Sequence, residues 1–167
     1  MDIFQILHIE HVEAQSAVER LQHVRGRGRR ELLGLIVDEL TAHTGAEERV
    51  LYDRLPGAQI ALEGKEEHFL ITRLLEDLVL MRVDDERFEA KTKVLGEILR
   101  HHVAEEESEL WAEARRQFEP FSFIAEELGG EYVALKCDLQ RRPSVVRLGT
   151  AHAKKLVDDV GHVFAPR

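Results

Sequence analysis

A ten-residue phrase occurs twice in this chain, and it restricts both the fold and what the fold encloses. His43-Thr44-Gly45-Ala46-Glu47-Glu48-Arg49-Val50-Leu51-Tyr52 is matched by His102-Val103-Ala104-Glu105-Glu106-Glu107-Ser108-Glu109-Leu110-Trp111, both reading His-x-x-x-Glu-Glu-x-x-Leu-aromatic. Residues four apart lie on one face of a helix. Each copy therefore aims an imidazole and a carboxylate in the same direction, late in a long amphipathic segment.

The apolar periodicity predicts four long helices. The first covers residues 2–24, with Asp2 as N-cap and Phe4, Leu7, His11, Ala14, Val18 and Leu21 on one stripe. Arg25-Gly26-Arg27-Gly28-Arg29-Arg30 interrupts it. That run reads as a solvated turn, with binding of an anion or an acidic partner as the alternative. The second helix covers about 29–55 and stops at Pro56-Gly57, with Leu33, Ile36, Leu40, His43 and Glu47 in its stripe. The third covers about 58–83 through Ala61, Gly64, His68, Ile71, Leu75 and Leu78, and Gly64 leaves room one turn before His68. The fourth covers about 86–118 through Phe88, Leu95, Ile98, His102 and Glu106.

His101 and Glu105 have the same spacing as His102 and Glu106, so the register has to be decided. The stripe through His101 runs over Val94, Glu97, Ser108 and Ala112, a poorer apolar face, which makes His102 and Glu106 the inward pair. Pro120 closes the fourth helix. A fifth helical stretch is expected over 121–142, broken at Gly129-Gly130, and a weaker sixth over 144–164. The expected fold is all-α: an antiparallel up-down four-helix bundle at 1–118, and a C-terminal helical extension at 119–167 that packs on the bundle or mediates assembly.

In such a bundle the starts of helices one and three lie level with the ends of helices two and four. At 1.5 Å per residue, His11, His43, Glu47, His68, His102 and Glu106 then fall about 12 to 24 Å below that shared end. A single histidine on an apolar stripe is ordinarily a hydrogen-bonded core residue. Two buried glutamates are different, because an unpaired carboxylate in the core costs several kcal/mol. No lysine or arginine sits in these stripes at that level, so metal cations answer the whole set. Four imidazoles and two carboxylates exceed the needs of one tetrahedral zinc. Neither His-Glu-x-x-His nor the Glu-x-x-His of ferritin-like di-iron proteins occurs in this set. Nitrogen and oxygen donors in this number suit two first-row ions, with each carboxylate able to bridge them.

Composition narrows the function. With 23 basic and 32 acidic side chains the formal charge is −9, which disfavours nucleic-acid binding. Cys137 is the only cysteine and forms no internal disulfide; it reads as a small buried residue, and His152 and His162 as surface positions. The opening residues carry no charged-then-apolar leader, and no apolar run nears the roughly 20 residues of a membrane span. A cytoplasmic protein without membrane contact is expected.

The chain resembles the hemerythrin family in its bacterial hemerythrin-like (HHE cation-binding) branch. Glu10-His11, His43…Glu47, Glu67-His68 and His102…Glu106 carry the resemblance, over about residues 2–118. It implies a bundle around two iron ions with an oxo or hydroxo bridge, manganese and zinc being the other candidates, and reversible binding of dioxygen or reaction with peroxide or nitric oxide. Oxygen-carrying members have a second histidine four residues after the first on the third helix; here that position is Thr72. The resemblance thus implies one coordination position more for water, peroxide or another small ligand, and argues against simple oxygen storage.

The resulting expectation is a di-iron protein that binds or senses dioxygen, peroxide or nitric oxide, with His11, His43, Glu47, His68, His102 and Glu106 as metal ligands and both glutamates bridging. Its small ligand is expected among Leu7, Ile36, Leu40, Ile71, Leu75 and Ile98, while Tyr52 and Trp111 read as core packing. Turnover of peroxide or nitric oxide at the same centre is the enzymatic alternative. A helical interaction module with incidental metal binding is the third, with a homodimer or protein partner held through 119–167.

Overall fold

Asp2 starts the first helix through a reciprocal cap: its carboxylate accepts from the Gln5 N–H at 2.9 Å, and its own N–H donates to the Gln5 side chain at 3.3 Å. The computed structural model describes residues 1–118 and 124–141. Within them α1 spans Ile3–His23, α2 Gly26–Val50, α3 Gln59–Leu80 and α4 Glu86–Glu105. A π-helical turn at Glu106–Leu110 leads α4 directly into α5, Trp111–Phe118, and α6 covers Ile124–Arg141. Helix α1 packs against α2 and α4, and α3 packs against the same two, so four walls enclose one interior. Helix α6 lies across α1 and α2. The all-α bundle with an additional C-terminal helix follows from the periodicity.

Two apolar clusters fill the bundle, one at either end. Ile3, Phe4, Leu7, Val50, Leu51, Leu55, Trp111 and Phe118 belong to the first. Val18, Leu21, Leu33, Ile36, Leu40, Ile71, Leu75, Phe88, Leu95 and Leu99 belong to the second. Along every wall the candidate ligands fall between the two clusters. Each fully buried Leu, Ile or Phe contributes roughly 1.5–3 kcal/mol, so the ends of the bundle can carry a polar layer between them.

The arginine-rich run is not a solvated turn. Helix α2 already begins at Gly26, and Arg29 is buried, its Nε donating to the Val24 carbonyl and its Nη1 to the Val83 carbonyl, both at 2.6 Å. Its guanidinium also lies 4.8 Å from the centre of the Phe88 ring. Arg30 donates to the carbonyls of Val79 and Met81, each at 2.7 Å. Both arginines thus serve carbonyls at the end of α3 and in the turn that follows it.

Helix α6 runs unbroken through Gly129-Gly130, contrary to expectation. A Cβ at Gly129 would lie 2.7 Å from the Met1 carbonyl oxygen, so the glycine serves a close crossing over the start of α1. Cys137 is exposed on this helix instead of buried. The expected helix at 144–164, with His152 and His162, lies outside the described residues. Among the described residues no helix is long and apolar enough to cross a membrane.

Candidate metal centre

All six candidate ligands reach one layer, and none is more than 6% exposed. The histidines form two pairs: His11 and His43 with ring centres 5.1 Å apart, and His68 and His102 at 4.6 Å. Each glutamate joins one pair to the other. Glu47 Oε2 lies 3.5 Å from His43 Nε2 and 3.4 Å from His68 Nε2. Glu106 Oε2 lies 3.4 Å from the Nε2 atoms of both His11 and His102. Two sets of three donors lie close enough to share an ion, His11–His43–Glu47 and Glu47–His68–His102, with Glu47 common to both.

The outward nitrogen of every ring is held by another carboxylate. Nδ1 of His11 meets Glu107 at 2.9 Å, His43 meets Glu10 at 2.9 Å, His68 meets Glu48 at 2.9 Å and His102 meets Glu67 at 2.8 Å. An imidazole that donates Nδ1–H to a carboxylate keeps the Nε2 lone pair for the interior. Glu10 and Glu67 stand in the sequence motif, yet each serves the histidine of the next helix, not its chain neighbour. Glu48 and Glu107 escaped sequence reasoning. The signal available was that every wall sets a glutamate directly beside an inward ligand.

The electrostatics favour cations. Burial pushes the Glu47 carboxyl well above its ordinary range, and the charge of Glu106 pushes it further. Burial acts on Glu106 in the same sense, but the hydrogen bond from His102 overrides it and holds that carboxyl below its range. His11, His43 and His68 are lowered, chiefly by burial. Burial opposes charge on His102 too, yet Glu106 and Glu67 raise it to about 9. His11 Nε2, both oxygens of Glu47 and Glu106 Oε2 are buried without a hydrogen-bond partner. Orphaned lone pairs on four converging atoms, with no lysine or arginine paired to them among the described residues, fit first-row metal ions.

The family model Hemerythrin HHE cation binding domain matches residues 2–114, which contain all six of these side chains. The chain belongs to the hemerythrin HHE cation-binding family. This hemerythrin-like chain is also 30% identical, over 146 residues, to a DNA nickase of Nostoc sp. (strain PCC 7120 / SAG 25.82 / UTEX 2576). The similarity covers 85% of the chain and 41% of that relative, so the chain spans less than half of its length. No solved structure matches the chain significantly.

Helix α6, beyond the matched stretch, adds to the hemerythrin-like layer from outside. The buried Tyr132 donates its hydroxyl proton to Glu10 at 2.5 Å and lies 2.9 Å from His43 Nδ1. Lys136 binds the other Glu10 oxygen at 2.8 Å and reaches Glu39 at 2.9 Å. Burial alone would raise Glu10, but hydrogen bonds from His43, Lys136 and Tyr132 bring it down to about 2. No motif in the sequence marks Tyr132.

The two aromatic residues that end the repeated phrase touch the hemerythrin-like site instead of merely packing. Trp111 stacks on His11 at 6.0 Å and donates its Nε1–H to Glu106 Oε1 at 3.0 Å. A π turn brings residues five apart together, and Glu106–Leu110 is such a turn, closed by the Trp111 N–H on the Glu106 carbonyl. The first copy tightens instead into a 3-10 turn at Tyr52–Arg54. There Tyr52 stacks on His68 at 5.3 Å, and its buried hydroxyl has no partner. The room left by Gly64 is taken by this ring: an added Cβ would lie 2.8 Å from Tyr52 Cε2.

Gly64→Ala should therefore destabilise the protein by about 1–3 kcal/mol in urea unfolding, although helix propensity alone favours alanine by about 1 kcal/mol. Equal or greater stability would show that Tyr52 gives way freely. Of the six apolar residues expected around a small ligand, Leu7 belongs to one cluster, Ile36, Leu40, Ile71 and Leu75 to the other, and Ile98 packs against the second, partly buried.

Proposed function

We propose that this hemerythrin-like bundle holds two iron ions and uses them to bind or sense dioxygen, peroxide or nitric oxide. The observation that carries the reading is the two-by-two arrangement: each glutamate faces one histidine of each pair within 3.5 Å. His11 and His43 would hold one ion and His68 and His102 the other, with Glu47 and Glu106 spanning both. When bound, the ions supply exchangeable electrons and open positions for a small ligand. The chain supplies the rest. Carboxylates on the outer nitrogens fix each ring, and the apolar clusters above and below limit the approach of water and protons along the bundle axis.

Freshly purified protein should contain two irons per chain, and air admitted after anaerobic reduction should change its near-ultraviolet absorption. A colourless protein carrying only substoichiometric zinc would overturn the proposal. Thr72, partly buried on α3 where a further imidazole would add a ligand, favours turnover of peroxide as a second reading. Oxygen evolution from hydrogen peroxide, lost in Glu47→Ala, separates turnover from sensing. DNA nicking, which the name of the Nostoc relative raises, would require a chain of charge −9 to approach a polyanion. Conversion of supercoiled plasmid to open circles tests it directly, and no conversion is expected.

A further inference from the structure

His101 and Glu105 repeat the ligand spacing of His102 and Glu106 but face outward, and they are not alone there. His101 Nε2 lies 3.3 Å from Glu105 Oε1 and 3.8 Å from Glu67 Oε1. Donor atoms of the three residues all fall within 4.8 Å of one another. The side chains of His101, Glu105 and Glu67 are 63%, 37% and 18% exposed, a gradient from solvent to interior. Glu67 faces both ways, since its other oxygen accepts from His102 Nδ1 at 2.8 Å.

A small cavity adjoins this cluster. It measures about 10 Å³, close to the room one water needs, and its lining includes Glu67 and Glu105 together with His102, Glu106, Tyr52 and Gly64. Two of these residues, Glu106 and Tyr52, are each 2% exposed, and each has a buried oxygen without a hydrogen-bond partner. An exposed histidine–carboxylate pair is by itself worth little. Here a mixed nitrogen and oxygen donor set adjoins a cavity whose lining includes two residues with orphaned buried oxygens.

The opposite side of the bundle offers a wider approach, a groove of about 570 Å³ between α1 and α2 that reaches His43. That groove is lined by Glu10, Glu13 and Glu39, but Arg20 and Lys136 line it too, and Lys136 already engages Glu10 and Glu39. The cavity on the α3–α4 side is bordered by carboxylates with no lysine or arginine in its lining.

We infer that Glu67, His101 and Glu105 form a surface site for a divalent first-row cation, the port through which ions enter the core between α3 and α4. The inference rests on the metal-centre reading above. The port captures a partly hydrated ion with one imidazole and two carboxylates. The ion then exchanges these donors for Glu106 Oε2 and the inner face of His102. Tyr52, with no side chain on Gly64 to crowd it, borders the cavity.

Cobalt(II), whose visible bands report its coordination, is the probe. Mixed in stopped flow with the metal-free full chain, it should fill the core of His101→Ala/Glu105→Gln at least about tenfold more slowly than wild type, and reach the same final spectrum. His101→Asp, which restores a donor, should load at close to the wild-type rate, and Glu105→Lys should be slower still. Equal rates in wild type and the double variant, both reaching the full band, would overturn the port and leave the centre standing. Slow loading that His101→Asp does not restore overturns it as well. A wild-type chain that never develops the core band would overturn the metal-centre reading itself.

Discussion

Glu47→Gln is expected to abolish metal loading while leaving the metal-free fold intact. Glu47 is fully buried, and among the described residues neither oxygen has a hydrogen-bond partner and the ring nitrogens paired with it belong to His43 and His68. An amide keeps its shape and removes the carboxylate that would span two ions. If Glu47 were half of a structural buried ion pair, removing its charge would cost about 3–5 kcal/mol. If it is a metal ligand without a cationic partner in the protein, the metal-free chain should change by less than about 1 kcal/mol. Urea unfolding of the stripped protein and metal analysis of the loaded one separate the cases. A variant that unfolds several kcal/mol more easily, or that keeps its full metal content, would sink this assignment.

Removing the metal from the wild-type protein should lower its melting temperature by roughly 8–16 °C. A ligand that binds only the folded state at a thousand times its dissociation constant adds about 4.1 kcal/mol, and a domain of this size shifts about 2–4 °C per kcal/mol. Dialysis against a chelator, then calorimetry with and without restored iron(II) under anaerobic conditions, measures the shift. A Glu47→Gln/Glu106→Gln variant should melt at one temperature throughout. A melting temperature indifferent to chelator and to added metal would show that the layer is not a loaded site.

Much of this is legible in the sequence. Helical periodicity places His11, His43, Glu47, His68, His102 and Glu106 on inward stripes, and antiparallel packing sets them at one depth. It fails where contacts between helices decide. Glu48 and Glu107 sit on polar faces by period, and only the neighbouring wall turns them into partners for His68 and His11. Tyr132 comes from a helix whose docking no local pattern predicts. Arg29 reads as solvent-facing because a charged run resembles a turn; its place over Phe88 depends on the far end of α3. Gly129 reads as a helix breaker until the start of α1 is seen to pass against it.

The outer carboxylates follow a rule that gives the site a further property. Glu10 of α1 steadies His43 of α2, Glu48 of α2 steadies His68 of α3, Glu67 of α3 steadies His102 of α4, and Glu107, just past α4, steadies His11 of α1. The hand-offs close into a circle, one at every seam of the bundle. A half-built bundle of two or three walls leaves at least one imidazole unsteered and lacks one end of the circle. A metal site of the proposed shape would therefore exist only after the last seam has shut, and uptake of an ion would report that all four walls are in register.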